Sequence, residues 1–169
     1  AKGGVGAAAR MVGDMYESGH GVMRNDLEAR NWYAVAANAG DPVAAYNVAI
    51  LATQQQDFPA AATAFRAAAE AGHARSQALL GHAWEIGRGV ERNASEAVAW
   101  YRRAAENGDA LGQFSFGRAL ASGLGGLARD EVEAAKWLRH SADQGLGAAQ
   151  YALGNIHRLG AGDEAVEMF

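Results

Sequence analysis

Small and aromatic residues recur along this chain in a fixed register, and the register is that of paired helices. Segments align on leading glycines at Gly40, Gly72, Gly108 and Gly145, and Gly4 heads a fifth. The intervals are 36 (4→40), 32 (40→72), 36 (72→108) and 37 (108→145). Nine positions after each leader stand Gly13, Ala49, Gly81, Gly117 and Gly154, and three further on Tyr16, Ala52, Trp84, Leu120 and His157. A second block carries Trp32-Tyr33, Ala64-Phe65, Trp100-Tyr101 and Trp137-Leu138, followed by Ala36-Ala37, Ala68-Ala69, Ala104-Ala105 and Ser141-Ala142. Self-similarity of this period marks a repeat architecture.

Each unit reads as two antiparallel helices, A over about 7–18 and B over about 26–39 in the first copy. Small residues at fixed positions let the helices approach, and the aromatics fill the space beside them. Asn25, Asn93 and Asp130 stand where B helices begin and are expected to cap them. The leading glycine falls just past each B helix, where a left-handed residue is wanted. One unit cannot bury both its faces, so stacking must supply the core. The expected fold class is all-α, a solenoid of stacked antiparallel helix pairs with about four full repeats plus partial ends. Its units are 5–40, 41–72, 73–108, 109–145 and a partial 146–169.

Composition agrees. Half the residues are hydrophobic, with Gly at 22 and Pro at only two, and β-branched residues are sparse. That suits close-packed helices and suits strands poorly. The net charge is −4 and the only lysines are Lys2 and Lys136, so no phosphate-neutralising patch for nucleic acid is expected. The chain has no cysteine, which removes disulfides, thiolate nucleophiles and cysteine-ligated metals. No apolar run reaches the ~18–20 residues of a membrane span, so no membrane insertion is expected.

Candidate chemistry dissolves on inspection. Gly3-Gly4-Val5-Gly6 and Gly19-His20-Gly21 lack the preceding strand of a phosphate-cradling loop, and Gly87-Arg88-Gly89 repeats the second in register, as a turn would. The histidines (His20, His73, His82, His140, His157) form no pair with metal-ligand spacing. Ser115 has Gln113 where a nucleophile elbow needs glycine. Glu131 and Glu133 point apart on a helix and cannot share a proton. Trp32, Trp100 and Trp137 occupy equivalent positions and are expected to pack in the core. No catalytic residue, cofactor or metal site is expected.

The strings from Gly13 to Val22, Glu28 to Gly40, Gly81 to Val90 and Glu96 to Gly108 resemble Sel1-like repeats, longer relatives of the tetratricopeptide repeat. The resemblance covers essentially the whole chain. It implies a right-handed superhelix whose concave face is lined by A helices, and an adaptor role in settings such as bacterial envelope assembly, signalling, host interaction and quality control. The compartment is not set by the residues; the resemblance favours the periplasm or envelope over the cytoplasm. Two copies depart from the pattern. The second reads Gln54-Gln55-Gln56-Asp57-Phe58-Pro59 in place of the Gly-x-Gly-Val turn, nearer an ordinary tetratricopeptide unit. The fifth is shortened through Gly160-Ala161-Gly162-Asp163. Ala1 to Gly4 matches the close of a preceding B helix, so the chain is expected to be a piece of a longer protein.

In tetratricopeptide relatives, ligand-facing positions lie three before, one after and four after the central glycine. Carried over, they give Arg10, Asp14 and Glu17; Tyr46 and Ile50; His82 and Glu85; Phe114 and Arg118; and Tyr151, Asn155 and Arg158. Positions three and four apart share a helix face. Asp14, Glu17 and Glu85 fall in the early copies and Arg118 and Arg158 in the late ones, so the expected partner is an extended or helical protein segment with apolar anchors and a charge asymmetry. Tyr46 and Tyr151 could equally pack against the next repeat. Alternatives for the whole chain are a binder of cell-wall glycan or peptidoglycan fragments, which exposed aromatics also suit, a structural spacer or oligomerisation module, and a companion to an active site lying outside these residues.

Overall fold

The computed structural model describes residues 2–155. Eight α-helices follow one another: α1 (Lys2–Ser18), α2 (Asp26–Asn38), α3 (Pro42–Gln54), α4 (Phe58–Glu70), α5 (Ala74–Ile86), α6 (Ala94–Glu106), α7 (Ala110–Ser122) and α8 (Glu131–Asp143). A single 3-10 turn, Leu124–Gly126, precedes α8, and residues 147–155 are again helical. Odd-numbered helices are the A members and even-numbered the B members. Each packs chiefly on its partner and on the next helix in the chain, the nearest-neighbour stacking of a helical solenoid. There is no strand among the described residues.

Local chemistry starts and stops these helices where the register requires. Asn25 accepts from the backbone N–H of Leu27 and Glu28, Asn93 from Ser95 and Glu96, and Asp130 from Glu133. Asp41, Asp57 and Asp109 do the same for α3, α4 and α7. At the B-helix ends, the alanine pair and the leading glycine form one hydrogen-bonded device. Gly40 donates to Ala37 and Asp41 to Ala36; Gly108 donates to Ala105 and Asp109 to Ala104. Closing that loop puts Gly40 at φ +92°, which a residue with a Cβ resists.

The first glycine of the series behaves differently. Gly4 was expected in a turn, with the A helix beginning near residue 7, but α1 runs unbroken from Lys2. Gly4 lies within the right-handed ladder of α1, which satisfies its backbone groups.

The central small residues are notches. A Cβ on Gly13 would lie 2.5 Å from Tyr33 Cδ1, one on Gly81 2.7 Å from Tyr101 Cδ1, and one on Gly117 2.9 Å from Leu138 Cγ. Each B helix presses the second residue of its aromatic pair into the A helix of its own unit. Gly89 is a second kind of close approach. It sits at φ +76°, and a Cβ there would overlap the carbonyl of Phe58 at the start of α4. The turn of the third repeat thereby seats on the B helix of the second.

Three core clusters stack along the array, around Tyr33 and Leu51, around Phe65, Leu80 and Trp100, and around Tyr101, Phe116 and Leu120. The expectation for the tryptophans holds unevenly. Trp100 is 6% exposed beneath α4 and α5, and Trp137 packs edge-on to Phe116 with centroids 5.7 Å apart. Trp32 is 37% exposed. Amides tie successive units as well. Buried Gln77 donates to Ala69 O at 3.0 Å and accepts from Asn107 Nδ2 at 2.9 Å, and buried Gln113 accepts from Gln144 Nε2 at 2.8 Å.

Candidate functional site

The positions singled out on the A helices fall on α1, α3, α5, α7 and the helix over 147–155, apart from Arg158, which lies outside the described residues. The structure uses many of them internally. Tyr33 reaches across from α2, and its hydroxyl lies 2.8 Å from Asp14 Oδ1 and 2.6 Å from Glu17 Oε2. Arg10 bonds Asp41 Oδ2 at 2.9 Å and lies 3.6 Å from Asp14. In the third unit Tyr101 Oη donates to Glu85 Oε2, and Arg118 Nη2 donates to both carboxylate oxygens of Glu85 at 2.6 and 2.7 Å. That last pair joins α5 to α7 across the A-helix face.

The acids are therefore held within the fold: Tyr33 binds Asp14 and Glu17, and Glu85 is bound by Tyr101 and Arg118. Asp14, Glu17 and Glu85 sit where a buried tyrosine needs an acceptor, and Arg118 completes one of those sites. Burial raises the Glu85 carboxyl, but the hydrogen bond from Tyr101 and the bonds and charge of Arg118 outweigh it, so Glu85 titrates below its ordinary value. Burial first, and then their carboxylate acceptors, push Tyr33 and Tyr101 far above the ordinary phenol value.

Tyr46 packs against the start of the next repeat while remaining half-buried. Its ring lies 4.9 Å from the His73 ring and 6.2 Å from Phe65, wedged half-buried between α4 and the cap of α5. Phe114 and Asn155 are half-buried, and Tyr151 is 74% exposed. Ile50 and exposed His82 come together on one cleft of about 160 Å³, which is open to solvent. Its floor is Phe58 and Phe65 of α4, with Leu79 and Ile86 of α5 on its walls and Arg88 at its edge.

Sequence reasoning missed this cleft and the tyrosine–carboxylate latches that frame it. The signal was in the register. Tyr33 faces Glu17 and Tyr101 faces Glu85, whereas the equivalent pairs are Phe65 with Thr53 and Leu138 with Ala121. A hydroxyl appears only in the units that supply a carboxylate. Among the described residues no group of three His, Asp or Glu is placed to hold a metal ion, and no helix is long and apolar enough to cross a membrane.

Stacked antiparallel helix pairs with a latched A-helix face define a protein of the helical-repeat superhelix class, related to tetratricopeptide arrays. The Sel1 repeat family model matches residues 6–41, 74–109, 110–146 and 147–167, and the chain belongs to that family. A Sel1 repeat protein of Oxalobacter formigenes superposes with a TM-score of 0.81 at 32% identity, over 89% of this chain and 63% of that one. A protective antigen of uropathogenic Escherichia coli with the same repeat fold gives a TM-score of 0.56 at 28% identity, over 94% of this chain and 42% of that one. A chitin synthase regulator of Saccharomyces cerevisiae is 33% identical over 110 residues, 60% of this chain and 16% of its own length. The chain thus spans less than two thirds of each of these relatives. Proteins of this family are generally non-catalytic scaffolds for protein interaction.

Proposed function

We propose that this array holds a segment of a partner protein along the face made by α3, α5 and α7. The observation carrying the reading is that Ile50 and His82, from successive A helices, converge on an apolar cleft that the fold leaves open. Elsewhere on the face the latches freeze the A helices into a rigid, pre-formed surface, which lowers the ordering cost of binding. The Arg118–Glu85 bridge acts as a strut of the platform, with Phe114 beside it on α7. The test is site-specific photocrosslinking in the parent organism, with the crosslinker at His82, at Phe114 and at Lys136 on α8. The reading requires one and the same protein at His82 and Phe114 and none at Lys136. Capture of glycan instead, or equal capture at all three positions, would overturn it.

A further inference from the structure

The second repeat lacks the latch, and the cleft occupies the space the latch would fill. In the first and third units a tyrosine hydroxyl and a glutamate close the gap between the A and B helices. In the second unit the corresponding residues are Phe65 and Thr53, and both line the cleft. Thr53 spends its hydroxyl on Ala49 O at 2.8 Å, one turn back in its own helix. The two atoms that would have joined α3 to α4 are therefore missing, and an apolar opening remains. About 160 Å³ is close to the ~150 Å³ of an apolar cavity that admits a benzene ring.

The charge around this opening is one-sided. Arg88 lies with its guanidinium 5.0 Å from the Phe58 ring centroid, pinned over the floor of the cleft. It forms no ion pair among the described residues. No carboxylate of the described residues lines the cleft. Glu85 is engaged with Tyr101 and Arg118, and Asp57 with the cap of α4 and with Arg30; exposed Glu91, three residues after Arg88, neither lines the cleft nor forms an ion pair with Arg88 among the described residues. A stacked guanidinium keeps its N–H donors at the ring edge, where a carboxylate can take two of them.

We infer that the cleft receives a Leu or Phe side chain of the partner segment and that Arg88 binds an Asp or Glu side chain within a residue or two of it. This rests on the A-helix face being the binding face, and adds the chemistry of what binds there. The apolar side chain supplies the buried anchor, and the carboxylate sets its direction and excludes segments with a cation at that position.

The experiment uses two synthetic peptides of the same length, one with Phe flanked by Glu and Asp, the other with Phe flanked by Gln and Asn. Binding is followed by fluorescence anisotropy and by methyl NMR of Ile50, Leu79 and Ile86. The acidic peptide should shift those methyls and bind about tenfold tighter than the amide peptide, as one charge-assisted pair predicts. Arg88→Gln should remove the acidic peptide's advantage, so that the two peptides bind alike. Restoring the latch with Thr53→Glu and Phe65→Tyr together should fill the cleft, keep the helical circular dichroism signal, and remove both peptides' binding. Methyls that stay silent, or relatched protein that still binds the acidic peptide, would overturn the inference. Photocrosslinking of the relatched protein separates the two claims. If Phe114 still captures the partner while peptide binding never depended on the cleft, the face stands and the anchor chemistry fails.

Discussion

Replacing Gly81 with alanine sets two effects of opposite sign against each other, and the structure decides between them. Within a helix, alanine is favoured over glycine by ~1 kcal/mol, so propensity alone makes Gly81→Ala stabilising. The new methyl, however, would lie 2.7 and 2.8 Å from Tyr101 Cδ1 and Cε1 and 3.1 Å from Ala97 O. Tyr101 cannot withdraw, because its ring is 1% exposed and its hydroxyl is held by Glu85. Overpacking a filled site costs ~1–3 kcal/mol, and pulling the hydroxyl from its carboxylate costs a further ~1.5–3 kcal/mol if the ring is forced back. The net expectation is a loss of about 2 kcal/mol, or a fall in Tm of roughly 4–8 °C for a chain of this size. Urea and thermal unfolding followed by circular dichroism measure it. Gly4→Ala is the control: its Cβ meets nothing within 4 Å, so there propensity acts alone and stability should hold or rise. Tyr101→Ala should rescue much of the Gly81→Ala defect, a coupling readable in a double-mutant cycle. If Gly81→Ala proves as stable as the parent, the notch argument is wrong for every unit.

Further expectations follow from the same contacts. Gly89→Ala combines a left-handed backbone with overlap on the Phe58 carbonyl, and should lower stability by more than the ~1–3 kcal/mol of the strained backbone alone; an unchanged urea midpoint would refute it. Tyr33 and Tyr101 should resist ionisation past their ordinary value of 10.0 and ionise only as alkali unfolds the chain. A folded pKa above the unfolded one contributes stability below that value and loses it as pH rises, and ultraviolet phenolate absorbance would show the two late groups. Glu85 has the opposite sign. Its pKa is lowered from 4.5, so its contribution is present above that value and disappears as acid reaches the folded pKa. Glu85→Gln should therefore be less stable at neutral pH and show a shallower acid decline, and parallel urea-midpoint curves for the two proteins would contradict this. Asn93→Ala removes acceptors for two backbone N–H groups at the start of α6 and should cost ~1 kcal/mol, readable in the same unfolding experiment.

The helix pairs and the caps at Asn25, Asn93 and Asp130 were legible before any coordinates, because each depends on short-range chemistry that recurs, whereas the superhelix came from the family resemblance. A glycine placed after an alanine pair, or an asparagine three positions before a glutamate, specifies its hydrogen bonds within one turn of chain. The binding face was legible only as a set of positions. Whether Asp14, Glu17 and Glu85 were free charges depended on hydroxyls carried by the opposite helix of each pair, and whether Tyr46 was exposed depended on His73 of the next unit. The cleft required both facts at once, together with the seating of Gly89 on α4 that brings Arg88 over Phe58. Periodicity along a chain states which residues share a helix face. Which of them remain unspent for a partner is set by side chains that meet across helices, and those meetings exist only after the repeats have stacked.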